Sequence, residues 1–275
     1  MSGPPASRVH RVEGPTGDME VDDRARSFFS QADFGSLLSR FVRDGGVAYE
    51  AWSRDIDALR QLDAYLERVA RVSPASNPNL FSTPADRVLY WICAHNAFVI
   101  REVLSHWPVA SVLELAPGWE ARKGNRFFRR RVYTAGGRRV SLGIIRHRIL
   151  PEESPRDARV LLLLNCGSAS CPDLRPEAPT AASVDAVLAL AAADFVADGR
   201  HLRIDNARRR IVVSPLLGRS RKFLLKDPRS AGRRGASGIA SWLAGIAPPA
   251  KSPELALARD YRLSFQPWNW RLNVR

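Results

Sequence analysis

Apolar positions recur at spacings of three and four through the first third of the chain. Phe28, Phe34, Leu37, Leu38, Phe41 and Val42 predict an amphipathic helix over residues 28–43. Asp44-Gly45-Gly46 stops it with turn chemistry, and Val47–Tyr49 reads as a short extended piece. Ile56, Leu59, Leu62, Tyr65, Leu66 and Val69 share one face of a second helix over about 53–72. After a loop at 73–78, Thr83-Pro84 combines an N-cap residue with a first-turn proline. The helix it opens, over about 84–106, is apolar around most of its circumference, which predicts a central buried helix.

The period then changes. Val132–Val140 reads as a hairpin around Ala135-Gly136-Gly137. Ser141 suits the cap of a helix carrying Ile144, Ile145, His147, Ile149 and Leu150, which Pro151 is expected to end. The apolar run 159–165 predicts a buried strand. A helix over 183–197, a hairpin over 201–214 and a helix near 236–246 follow. In the aromatic end, Phe265–Asn273, Trp268 and Trp270 read as core residues. No repeat or long linker interrupts 28–273. The pattern predicts one α+β domain over 28–275, its N-terminal helical half packed on a small mixed β-sheet. Residues 1–27, rich in proline, glycine and charge, read as a disordered leader.

With 275 residues and 45% hydrophobic content, such a domain can bury a sizeable core. No apolar run approaches the roughly 18 residues of a membrane span, and no signal-peptide core opens the chain, so a cytoplasmic location is expected. Three cysteines are too few for a disulfide-built scaffold. The net charge of +14 is carried mostly by arginine. It concentrates at Arg122–Arg131 and between Arg200 and Arg234. Guanidinium forks suit phosphate, and Phe127 and Phe128 would stack on bases. An acidic partner or nucleic acid is therefore one expectation; solvated basic loops are the other.

The chemistry concentrates after the 159–165 run, in Asn165-Cys166-Gly-Ser-Ala-Ser-Cys171-Pro172. Three roles fit the two cysteines: a thiolate nucleophile, a disulfide or packed inert pair, or metal ligands. Cys171 precedes a proline suited to the first turn of a helix, whose dipole would lower a thiol pKa. His147 is the matching base, and Asn96, polar within an apolar helix, would orient it. A zinc site would need Cys166, Cys171 and His147 to converge with Cys93 or His95. No cofactor is implied.

Phe41-Val42-Arg43-Asp44-Gly45-Gly46-Val47-Ala48-Tyr49, then Tyr90-Trp91-Ile92 with Asn96-Ala97, resemble motifs of the family named domain of unknown function 547. His147-Arg-Ile149-Leu150, Asn165-Cys166-Gly167, Ser170-Cys171-Pro172 and Trp270-Arg-Leu272-Asn273 continue that resemblance in order. The family usually has Glu where this chain has Arg146, Arg where it has Pro151, and often His where it has Leu161. It reads Asn-Leu-Tyr where this chain has Cys93-Ala94-His95. The resemblance implies a fold over about 30–273 and no named activity. An outline similar to papain-like and transglutaminase-like enzymes is an architectural analogy. The leading functional expectation is a thiol-dependent hydrolase or acyltransferase acting on an amide or thioester. Cys171 or Cys166 would attack, His147 would carry the proton and Asn96 would orient it. The alternatives are a catalytically inactive binding or scaffold module with a basic surface, and a Cys/His zinc site.

Overall fold

The computed structural model describes residues 30–115 and 125–275, with the side chains of Asn125 and Arg126 left aside. The proposed leader, Phe28, Arg122 and Lys123 lie outside those residues.

The helical half forms much as its apolar spacing requires. The first helix is Ala32–Phe41, burying Phe34, Leu37, Leu38 and Phe41. A turn with Asp44 and Gly45 at positive φ joins the short antiparallel pair Val42–Arg43 and Gly46–Val47. The predicted 53–72 helix is two helices, Tyr49–Arg54 and Ile56–Arg71. Asp55 breaks them: its backbone is extended and its side chain accepts the Ala58 N–H at 2.8 Å. Ile56, at that break, is 63% exposed rather than part of the buried face. The central helix, Pro84–Ser105, starts with a full capping box between Thr83 and Asp86 and buries nearly every residue from Val88 to Leu104.

The α+β class holds, but the strands are dispersed. Tyr133–Ala135 and Arg138–Val140 pair as the expected hairpin. It docks on the Ile56–Arg71 helix, with Gly136 N–H donating to the Val69 carbonyl at 2.9 Å. Leu202–Asp205 and Arg210–Val213 pair antiparallel, and Arg262–Phe265 adds parallel to the latter, giving a three-stranded mixed sheet. The central helix packs chiefly on helices and on residues 158–163 rather than on this sheet.

The apolar run at 159–165 is not a strand. Residues Ala158–Leu163 form a 3-10 helix, with Val160 to Leu163 buried. A short continuous apolar run is compatible with either buried form, so burial alone leaves the backbone undecided. Asp157 accepts the Arg159 N–H at 3.0 Å, and Asp227 accepts the Ala158 N–H at 2.8 Å and the Trp242 indole N–H at 3.0 Å. These caps close a helical start and leave no edge for strand pairing.

Candidate functional site

The loop after the 3-10 helix is tightly folded. Gly167 takes φ +77°, and a Cβ there would lie 2.9 Å from Val112 Cγ1. Asn165 Oδ1 accepts the Gly167 N–H at 2.7 Å, and its amide donates to the Pro172 carbonyl at 3.2 Å. Cys166 and Cys171 form a disulfide, and both are buried. Ser168 Oγ lies 3.2 Å from Cys166 Sγ and 3.5 Å from Cys171 Sγ. Pro172 opens no helix, so no helix dipole acts on Cys171. Of the three roles open to the pair, the structure takes the disulfide; a thiolate at either position requires its reduction.

The end of the chain wraps this loop. Arg271 accepts from the Ala169 N–H at 2.8 Å, and the Asn273 N–H donates to the Gly167 carbonyl at 3.1 Å. Trp268 Nε1 donates to Ser168 Oγ at 2.9 Å, and the Asn269 N–H to Ser170 Oγ at 2.7 Å. Asn273 also reaches the other end of the chain: the Val47 N–H donates to its carbonyl at 2.8 Å, and Tyr49 OH lies 3.3 Å from its Oδ1. Three sequence motifs separated by more than a hundred residues thus meet around Asn165 and Asn273.

A cavity of about 700 Å³ opens beside the disulfide. Its walls come from residues 141–144 and 146–148, Phe128 and Arg129, Cys166, Arg219, and Trp268 with Trp270. Ser141 caps the first turn by accepting the Ile144 N–H at 3.2 Å. Residues Ile145–Ile149 then form a π-helical turn, which runs into Leu150–Glu153. Pro151 therefore sits inside a continuing helix instead of ending one, directly after the π turn in which the Leu150 N–H donates to the Ile145 carbonyl.

The π turn displays Arg146, His147 and Arg148 on the cavity side. Arg146 Nε and Nη2 are buried and have no hydrogen-bond partner among the described residues. Burial, and then the charge of Arg219, lowers the Arg146 pKa to about 10, so the guanidinium remains charged at neutral pH. His147 lies at the rim. Its partial enclosure by the wall, and then the charges of Arg146, Arg129 and Arg219, bring its pKa down to about 4. Arg219 lies over the Trp268 and Trp270 rings, 5.1 and 5.2 Å from their centroids. Among the described residues lining the cavity, none is Asp or Glu.

The sequence-predicted site is thus divided. Cys166 and His147 border one cavity; Cys171 is bonded behind it. Asn96 is elsewhere: its amide donates to the Leu163 carbonyl at 2.8 Å, and its Oδ1 accepts the Asn165 N–H at 2.9 Å with His95 Nδ1 at 3.2 Å. It holds the 3-10 helix and the loop rather than His147. Cys93 is buried on the same helix, and burial pushes its thiol up to about 12. Among the described residues, no three His, Cys, Asp or Glu side chains gather to hold a metal, which removes the support for a zinc site. Trp268 and Trp270 are half-buried cavity wall, not interior. Phe127, expected to stack on bases, is buried, while Phe128 lines the cavity. Part of the second basic segment is neutralised, Arg200 by Asp173 and Asp198 and Arg208 by Asp205. The cavity's cationic character was legible only as Arg146 replacing the family's usual Glu; nothing local tied Arg219 to it.

Residues 81–196 match the model of the family described as "Protein of unknown function, DUF547". The resemblance therefore holds over the segment containing the central helix, His147 and both bonded cysteines. The motifs at 41–49 and 270–273 lie outside the matched segment. No curated protein and no solved structure matches the chain, so the papain-like and transglutaminase-like analogy gains no support. No helix of the described residues is long and apolar enough to cross a membrane.

Proposed function

We propose that this protein is a binding module that takes up an anionic ligand in the cavity beside the disulfide. The observation that carries this reading is Arg146. A buried guanidinium with two unpartnered donors is costly unless a counter-charge completes it. The described walls offer arginines and no carboxylate, so a ligand is the natural source of that charge. A buried disulfide is also at home in an oxidising compartment, which weighs against the cytoplasmic expectation. The test is a thermal-shift titration with sodium sulfate against sodium chloride of matched ionic strength. Relative to chloride, sulfate should raise the melting temperature of the parent protein by more than that of Arg146→Gln, which keeps only the general stabilisation that sulfate gives folded proteins. Equal sulfate responses of parent and variant would remove the reading.

A second reading rests on Cys166 and His147 bordering one cavity. Reduction of the disulfide by a dithiol frees a Cys166 thiol there, and His147 is the neighbouring base for a thiol-dependent hydrolase or acyltransferase. With its pKa near 4, His147 is neutral at pH 7 but a weak base. This reading requires fast iodoacetamide labelling of Cys166 after dithiothreitol, slowed in His147→Ala.

A further inference from the structure

We infer that the ligand of this cavity is a phosphate monoester carrying a flat aromatic group, an assignment that rests on the anion-binding reading above. Charge points to the head group. Arg148 is paired with Glu152 at 3.3 Å, whereas Arg129, Arg146 and Arg219 have no ion-pair partner among the described residues. A monoanion would leave most of that charge uncompensated. A phosphate monoester is close to a dianion at neutral pH and offers three acceptor oxygens to planar guanidinium forks.

Size and wall chemistry point to the rest of the molecule. The cavity, at about 700 Å³, lies in the range that holds a drug-sized ligand and far exceeds one tetrahedral oxyanion. Its aromatic side is continuous: the Trp268 and Trp270 centroids are 5.5 Å apart, and Phe128 lies 6.4 Å from Trp270. Arg219 lies against both indoles and also acts on Arg146, so the cationic and aromatic sides meet at this one residue. A ligand with its phosphate between Arg146 and Arg219 brings its first ring against Trp270. Stacking on one aromatic side chain strengthens binding by about tenfold or more.

Isothermal titration at pH 7.5 and fixed ionic strength, with three probes, tests this. Phenyl phosphate should bind about tenfold tighter than inorganic phosphate and than benzoate, within what one stacking contact supplies. Trp270→Ala should bring phenyl phosphate down to the affinity of inorganic phosphate measured in the same variant, so that the ratio between the two probes falls to about one, and Trp270→Phe should restore most of that ratio. Arg146→Gln should weaken both phosphates by about tenfold, as for the loss of a charged hydrogen bond. Equal affinity for phenyl phosphate and inorganic phosphate would overturn the aromatic part and identify free phosphate as the ligand. Equal affinity for phenyl phosphate and benzoate would overturn the dianion. Failure of all three probes to bind, or binding indifferent to Arg146→Gln, would instead overturn the anion-binding reading beneath it.

Discussion

Asn96 holds Asn165 across a separation of 69 residues: its Oδ1 accepts the Asn165 backbone N–H at 2.9 Å, while its amide donates to the Leu163 carbonyl at 2.8 Å. One side chain of the central helix thereby sets where the 3-10 helix ends and where the disulfide loop begins. Its replacement by Ala would strand two buried backbone groups. Each such group costs about 1–3 kcal/mol. Asn96→Ala should therefore lower stability by about 2–6 kcal/mol in urea unfolding, with the largest loss of hydrogen-exchange protection at Asn165. A loss below 0.5 kcal/mol would contradict this role.

Arg146 should behave in the opposite sense. Its buried, unpartnered donors oppose folding when no ligand is present. Arg146→Gln keeps hydrogen-bonding capacity and removes the charge. It should stabilise the ligand-free protein by about 1 kcal/mol, a rise of roughly 2–4 °C in melting temperature for a chain of this size, while reducing the sulfate-induced shift to the part that sulfate gives any folded protein. A gain of stability with loss of binding is the signature of a residue kept for a ligand.

Acid should weaken the fold through the interior imidazoles of His95 and His201, to which His147 at the cavity rim, its pKa brought down to about 4, adds. His95 is 1% exposed and His201 2% exposed. Burial lowers the His95 pKa to about 3 and the His201 pKa to about 4. Around His201, Asp198 and Asp173 raise the pKa and Arg200 lowers it, while Phe195 stacks on the ring at 4.5 Å. In the unfolded chain both histidines take a proton near pH 6.5. Between that pH and about 4 the unfolded state holds the extra protons, so stability falls as pH falls. The slope is at most about 1.4 kcal/mol per pH unit for each histidine. Urea midpoints at pH 7 and pH 5 should differ accordingly. His201→Phe, which preserves the stacking and removes two buried ring nitrogens that make no hydrogen bond, should reduce that difference.

The cysteines give a labelling order. In the oxidised native protein none of the three should react with iodoacetamide: two are bonded, and Cys93 is buried with its pKa near 12. Dithiothreitol should make Cys166, on the cavity wall, reactive, and only denaturant should expose Cys171 and Cys93, which are buried away from it. Mass spectrometry reads all three sites. The closed loop is short, so Cys171→Ser should cost only about 2 kcal/mol by loop entropy, measured as a shift in the urea midpoint.

Where local rules decide the outcome, the sequence was sufficient. Thr83 and Asp86 cap the central helix, Gly136-Gly137 turns the hairpin, and the apolar face of 56–71 is buried at Leu62, Tyr65 and Val69. Each depends on residues within a few positions of one another. The Leu161–Leu164 run misled because burial satisfies a strand or a 3-10 helix equally, and the deciding group, Asp227, arrives from far along the chain. The parallel strand Arg262–Phe265 was read only as part of an aromatic end, since its partner is set by topology.

The same division governs function. The sequence by itself determined the α+β class, the central helix, the excess of arginine and the ordered motifs around Asn96, His147 and the two cysteines. Only the tertiary structure decided that Cys166 is bonded to Cys171, that Asn96 serves the backbone rather than His147, and that Arg146, Arg219 and the Trp268–Trp270 wall share one cavity. The physical reason is range. Caps, turns and amphipathic faces are settled by neighbours along the chain. The charge balance and hydrogen bonding of a buried group depend on whatever side chains the fold brings within a few ångströms of it.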